Sequence, residues 1–141
     1  MKKTKFFNTE KRNWVVIDAK DMILGRLSTR IARILQGKNK PTYSPNFLCG
    51  DRVVVVNAKY LRFTGKKLDE KLYDKYTGYP SGRKEIPLRR LAEKNPSKIL
   101  YLAVKGMLPK SKLGAKMLKS LKIYAQEQHL QTAQKPQKLE V

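Results

Sequence analysis

The residues here whose type and spacing could do chemistry are cations at helical intervals. Arg26, Arg30 and Arg33 are separated by four and then three positions, and Lys112, Lys116 and Lys119 repeat that interval further on. At about 100° per residue, each set forms one stripe along a helix. Such a stripe can hold a row of anions, although an arginine stripe taken alone fits an ordinary solvated face equally well. The second stripe lies in a stretch with no acid between Glu93 and Glu127, which also holds Lys94, Lys98, Lys105, Lys110 and Lys122. A face held by salt bridges would alternate its signs, and this one does not. Gly106 with Pro109 is expected to form a turn that lets Lys105 and Lys110 approach a nucleic-acid backbone closely, since glycine carries no side chain. A further group mixes Lys71, Lys75, Arg83 and Lys84 with Tyr73, Tyr76 and Tyr79, and Lys66 and Lys67 just before it are further candidates for RNA contact. Aromatic rings can stack on unpaired bases while neighbouring cations hold phosphates. Tyrosines covering a sheet edge are the alternative.

The groups that catalysis needs are sparse. His129 is the only histidine and Cys49 the only cysteine, so no zinc-ligand set is present and a Ser-His-Asp arrangement would rest on one residue of a polar tail. Gly25 precedes a helix, but neither phosphate-loop signature occurs. A single helix N-terminus can still hold an RNA phosphate. Asp18 and Asp51 flank strands, where an α/β enzyme could keep carboxylates. Capping or a salt bridge explains them better. The expectation is a non-enzyme with no metal, no cofactor and no small-molecule substrate.

Composition points the same way. The 141 residues include 32 Lys and Arg against 11 Asp and Glu, a net charge of +21. Solubility needs only about 2–8 charges. The excess calls for a polyanion, either nucleic acid or an anionic membrane, and binding to nucleic acid would be driven by release of condensed counterions. The 40% of hydrophobic residues suffices for a core. One cysteine forms no intrachain disulfide, which fits a reducing compartment. No signal peptide is visible, and no apolar run approaches the ~20 residues of a bilayer span.

These residues need elements to position them. Trp14 to Ala19 reads as a buried strand, with Trp14 in the core. Leu27, Ile31, Ile34 and Leu35 predict a helix over about Arg26 to Gln36, closed by a left-handed cap at Gly37. Lys38 to Pro45, with Lys38 and Lys40, is a loop. Four consecutive valines in Arg52 to Ala58 predict a strand covered on both faces, as in a parallel sheet. Tyr60 to Thr64 suits a short helix or turn. Leu68 to Lys84 has no clear period and ends in a turn cluster, Gly78 to Gly82. Helices follow from Pro87 to about Asn95, from Ser97 to about Lys105 and from Ser111 to about Ser120. Leu121 to Tyr124 alternates as a last short strand. The organisation expected is a basic N-terminal arm (1–13), an α/β RNA-binding domain (14–125) and an extended polar C-terminal tail (126–141).

Several motifs then fall into a known order: Lys38-Asn39-Lys40-Pro41, Gly50-Asp51, Asn57-Ala58, Thr64-Gly65-Lys66, Gly78-Tyr79-Pro80 and Val104-Lys105-Gly106-Met107-Leu108-Pro109. Gly114-Ala115 and Leu121-Lys122-Ile123-Tyr124 complete it. From about Trp14 onward the chain resembles the universal large-subunit ribosomal protein family L-thirteen. The resemblance implies a three-layer α/β/α fold with a small, mainly parallel sheet. It implies a structural constituent of the large ribosomal subunit that binds large-subunit rRNA, supports assembly and touches neighbouring large-subunit proteins. It places the chain on a cytoplasmic or organellar ribosome, with no membrane partner. The family often has His at 39, 46 and 76, Gly at 81 and Pro-His at 130–131, where this chain has Asn39, Asn46, Tyr76, Ser81 and Leu130-Gln131. A small nucleotide-binding enzyme and a basic regulator of mRNA or DNA are the other classes. The first lacks a phosphate loop, and the second lacks helix-turn-helix or zinc-finger spacing.

Overall fold

The valine run lies inside the sheet. In the computed structural model, which describes residues 12–139, β1 is Trp14–Asp18 and β2 is Arg52–Val56. They pair in parallel with Val15 beside Val53 and Ile17 beside Val55. Two short strands flank them, β5 (Leu121–Ile123) beside β2 and β6 (Gln137–Lys138) beside β1, so the four-stranded order is β5-β2-β1-β6 with every pairing parallel. Parallel neighbours need crossovers, which is where the helices go. Val15, Ile17, Val53 and Val55 share one face with the buried side chains of the helices, while Val54 and Val56 on the opposite face are buried as well. A strand covered on both faces has no polar position to alternate, hence the unbroken valines. The architecture is α/β with a mainly parallel sheet, as expected.

Helix α1 (Leu24–Gln36) crosses from β1 to β2 and starts two residues earlier than its apolar period suggests. It buries Leu24, Leu27, Ile31, Ile34 and Leu35 among others. Gly37 closes it at φ 79°, its N–H donating to the Arg33 and Ile34 carbonyls. The chain then loops back across this end. At Gly50 an added Cβ would lie 1.8 Å from the Leu35 carbonyl oxygen, so only glycine passes there. Asp51, next in line, is buried; its carboxylate accepts the Lys40 ammonium and, at 2.9 Å, the Asn13 N–H.

The segment without a clear period differs most from the sequence reading. A short helix, α2 (Lys67–Glu70), leads into an antiparallel hairpin of β3 (Leu72–Tyr76) and β4 (Arg83–Pro87). Only Tyr73 and Ile86 turn toward the core, so too few apolar positions alternate to betray the strands. The short helix or turn expected over 60–64 falls slightly earlier, as a 3-10 turn at Ala58–Tyr60. Beyond Pro87 come α3 (Leu88–Lys94), α4 (Pro96–Met107) and α5 (Lys112–Lys119). Asn95 and Ser111 cap α4 and α5 by accepting the Lys98 and Gly114 N–H groups, each at 3.2 Å. Helix α4 runs through Gly106, so Gly106 lies in its last turn and not in a loop with Pro109. Met107, next in the chain, is 43% exposed.

The final strand is another difference. Residues 126–141 are expected to extend as a polar tail, and β5 to be the last strand. Gln137 and Lys138 instead pair with Val15 and Val16. Their side chains are exposed, and the pairing is carried by backbone groups that every residue has, so composition gives no sign of it. Of the basic arm expected over 1–13, residues 1–11 lie outside the described residues.

A candidate nucleic-acid interface

Helix α1 sorts its residues by face. Its apolar side packs on α4 and α5, and Arg26, Arg30 and Arg33 stand exposed on the other side. Helix α5 does the same, with Met117 buried and Lys112, Lys116 and Lys119 exposed. The two stripes therefore sit on neighbouring helices. Lys105 and Lys110 are brought together on a depression of about 220 Å³ between the end of α4 and the start of α5. The Gln36 amide donates to the Met107 carbonyl at 3.3 Å, which ties the end of α1 to the end of α4. Among the described residues, none of these cations forms an ion pair with a carboxylate. Their field is uncancelled locally.

The other sequence candidates divide. Lys38 is exposed just past the α1 cap, and Lys66 and Lys67 are exposed on the turn into α2. Lys40 is engaged with Asp51, which neutralises it. Replacing Lys40 with methionine is expected to cost about 2 kcal/mol, because it leaves a buried carboxylate without its partner while sparing the packing of the stem. Urea denaturation of the variant beside the double variant Lys40→Met/Asp51→Asn checks this: the double variant should recover most of the loss. On the hairpin, Arg83 pairs with Asp74 at 2.8 Å and Glu85 at 2.9 Å. Lys75 lies directly across the ladder from Lys84. Like charges opposite each other destabilise a hairpin unless an anion sits over them. Tyr76, the last residue of β3, and Tyr79, in the turn beyond it, are 67% and 75% exposed.

The strand-flanking carboxylates have structural partners. Burial pushes the Asp18 carboxyl up. The Lys20 N–H at 2.9 Å, the Asn57 amide at 3.0 Å and the charges of Lys138 and Lys20 outweigh that and hold it below its ordinary value. Trp14 is half-buried, with the Arg52 guanidinium 5.1 Å from its ring centroid. Among the described residues, no three His, Cys, Asp or Glu side chains gather as a metal site, and no helix is long and apolar enough to cross a membrane.

A family model described as "Ribosomal protein L13" matches residues 12–130. The chain belongs to the ribosomal protein L13 family. The protein called "Large ribosomal subunit protein uL13" of Thermus thermophilus is 53% identical over 128 residues, spanning 91% of each chain. That of Thermotoga maritima is 52% identical over 130 residues, 92% of this chain and 87% of its own. That of Thermoanaerobacter sp. strain X514 is 51% identical over 131 residues, 93% and 92%.

Set in the L13 pattern, one departure has a visible cost. Ser81, where glycine is common, takes a φ of 58°, a left-handed conformation that disfavours a side chain. One cation of this L13 chain, Arg62, escapes sequence reasoning, and Lys71 of the tyrosine segment joins it in the structure. Arg62 and Lys71 line the groove that Lys67 also lines, below the N-terminus of α1. Neither belongs to a stripe, and Arg62 reaches the site through backbone bonds, its N–H donating to the Met22 carbonyl at 2.9 Å and its carbonyl accepting the Leu24 N–H at 3.1 Å.

Proposed function

We propose that this chain is a structural, non-catalytic constituent of the large ribosomal subunit that binds large-subunit rRNA and supports its assembly. The rRNA faces the cations of α1, the α4–α5 corner and α5, with the Lys66–Lys67 turn and the hairpin as further contacts. One observation carries this reading: exposed cations with no carboxylate partner among the described residues occupy adjoining helices opposite the faces that pack the core. Phosphates reward cations whose field no neighbouring acid cancels. Membership of the L13 family supplies the partner class, and on that basis neighbouring large-subunit proteins are partners too. The location is the ribosome, in the cytoplasm or an organelle.

Charge reversal of Lys110, Lys112 and Lys116 together tests it. Binding of the full chain to a large-subunit rRNA transcript should weaken, and the slope of log affinity against log salt should flatten by roughly one unit or less per lost phosphate contact. Thermal stability should barely change, since all three side chains are exposed. Unchanged affinity and slope would move the interface elsewhere, with the hairpin next in line.

A further inference from the structure

A groove of about 410 Å³ opens between the first turn of α1, the segment 62–71 and the last turn of α4. That is within the ~300–1,000 Å³ of ligand clefts. The deeper lining is apolar, with Leu24 buried and Phe63, Leu102 and Ala103 half-buried. Arg62, Lys67 and Lys71 line it as well, all exposed, and no carboxylate pairs with them among the described residues. Lys67 donates to the Thr64 hydroxyl at 3.2 Å, and Lys71 lies 5.3 Å from the Tyr73 ring centroid. Both partners are neutral, so the charges persist.

Two glycines line the same groove from different helices, Gly25 in α1 and Gly106 in α4. Neither has a positive φ, and a Cβ added at either would meet nothing within 4 Å. Glycine is a poorer helix residue than alanine. Nothing among the described residues therefore calls for it here, and what it leaves is open space at backbone level for a group from outside.

We propose that this groove receives one unstacked nucleotide of the large-subunit rRNA. The base inserts between Gly25 and Gly106 onto Phe63 and Leu102, and its flanking phosphates meet Arg62, Lys67 and Lys71. The proposal rests on the rRNA-binding reading above. A nucleotide joins a flat face that stacks on apolar groups to an adjacent anion, and the groove pairs the matching surfaces. An acidic amphipathic helix from a neighbouring protein would match the charge. It would not fit, because 410 Å³ is roughly the volume of one turn of a helix ~10 Å across.

The test uses the full chain, a large-subunit rRNA transcript and base-directed methylation with dimethyl sulfate. Wild-type protein should protect at least one unpaired base. Gly106→Leu and Gly25→Leu should each restore reactivity at that base. Each should weaken binding about tenfold to a hundredfold with the salt slope unchanged, since no cation is removed. Their melting temperatures should not fall, because both side chains enter open space. Lys67→Gln should flatten the slope. Reversal of Lys110, Lys112 and Lys116 should leave that base protected while lowering overall affinity. Wild-type binding and protection by both glycine variants would overturn the nucleotide site while leaving rRNA binding intact. Loss of a neighbouring protein from reconstituted subunits, with rRNA protection unchanged, would overturn it in favour of a protein segment. Failure of the wild-type chain to bind the transcript would remove the rRNA reading and this proposal with it.

Discussion

Val54→Asp is expected to unfold the domain at neutral pH. Val54 is fully buried in β2, between β1 and β5. The substitution removes a buried apolar side chain and places a carboxylate at a fully buried position; its register neighbour on β5, Lys122, is exposed, so pairing the two would bury a second charge. Burial of an unpaired charge costs several kcal/mol, and the lost transfer energy of valine adds about 1.5 kcal/mol or more. A total above ~5 kcal/mol equals or exceeds the stability of many domains of this size. The pH dependence should carry a signature. Burial raises the folded-state pKa of the new carboxyl above its unfolded value of about 3.9. The neutral form is thus the one the fold tolerates, so the deficit should be smallest below pH ~4 and grow as pH rises through the folded-state pKa. Circular dichroism with urea titration at pH 4 and pH 7 measures both. A cooperative transition at pH 7 with near wild-type midpoint would refute the placement of β2.

Gly50→Ala should be nearly as damaging despite adding one methyl group. The added Cβ would meet the Leu35 carbonyl oxygen at 1.8 Å and the Ile34 oxygen at 2.7 Å. Both are backbone atoms near the end of α1, so no rotamer change relieves the clash. Either the strand entry or the helix end must move, and each is fixed. Asp51 donates its N–H to the Ile34 carbonyl at 3.3 Å, and Arg12 donates to the Gly50 carbonyl at 2.7 Å. Overpacking of this kind costs about 4 kcal/mol, at the upper end of single substitutions. The melting temperature should drop by roughly 15 °C. A drop of less than ~2 °C would mean that the loop passes the helix end at a greater distance.

What could be read from the sequence follows the physics of each element. β1, α1 and β2 are written in apolar periodicity, and the Gly37 cap in residue type, because burial demands them directly. Helix α1 also keeps its arginines where the apolar stripe leaves room, so their exposure was legible. The hairpin was not, since Lys75, Lys84, Arg83 and Asp74 are all exposed and leave no alternation. β6 was invisible because backbone atoms make its pairing. The Lys40–Asp51 pair and the close approach at Gly50 depend on how the loop returns, which no local pattern encodes. The groove draws on residues 25, 62–71 and 102–107, which meet only through the packing of α1 on α4.

The parallel sheet bears on how fast the domain forms. Val15 pairs with Val53, 38 positions on, and with Gln137, 122 positions on. Val53 pairs with Leu121, 68 positions on. No ladder of this sheet closes a short loop, and topologies of high contact order fold slowly because chain entropy is lost before contacts return it. Here the ends must also meet through the mutual repulsion of a chain with net charge +21. Refolding in the absence of RNA should therefore quicken as salt rises toward a few tenths molar, where the Debye length shrinks to a few ångströms. A polyanion present during collapse would do the same at far lower concentration.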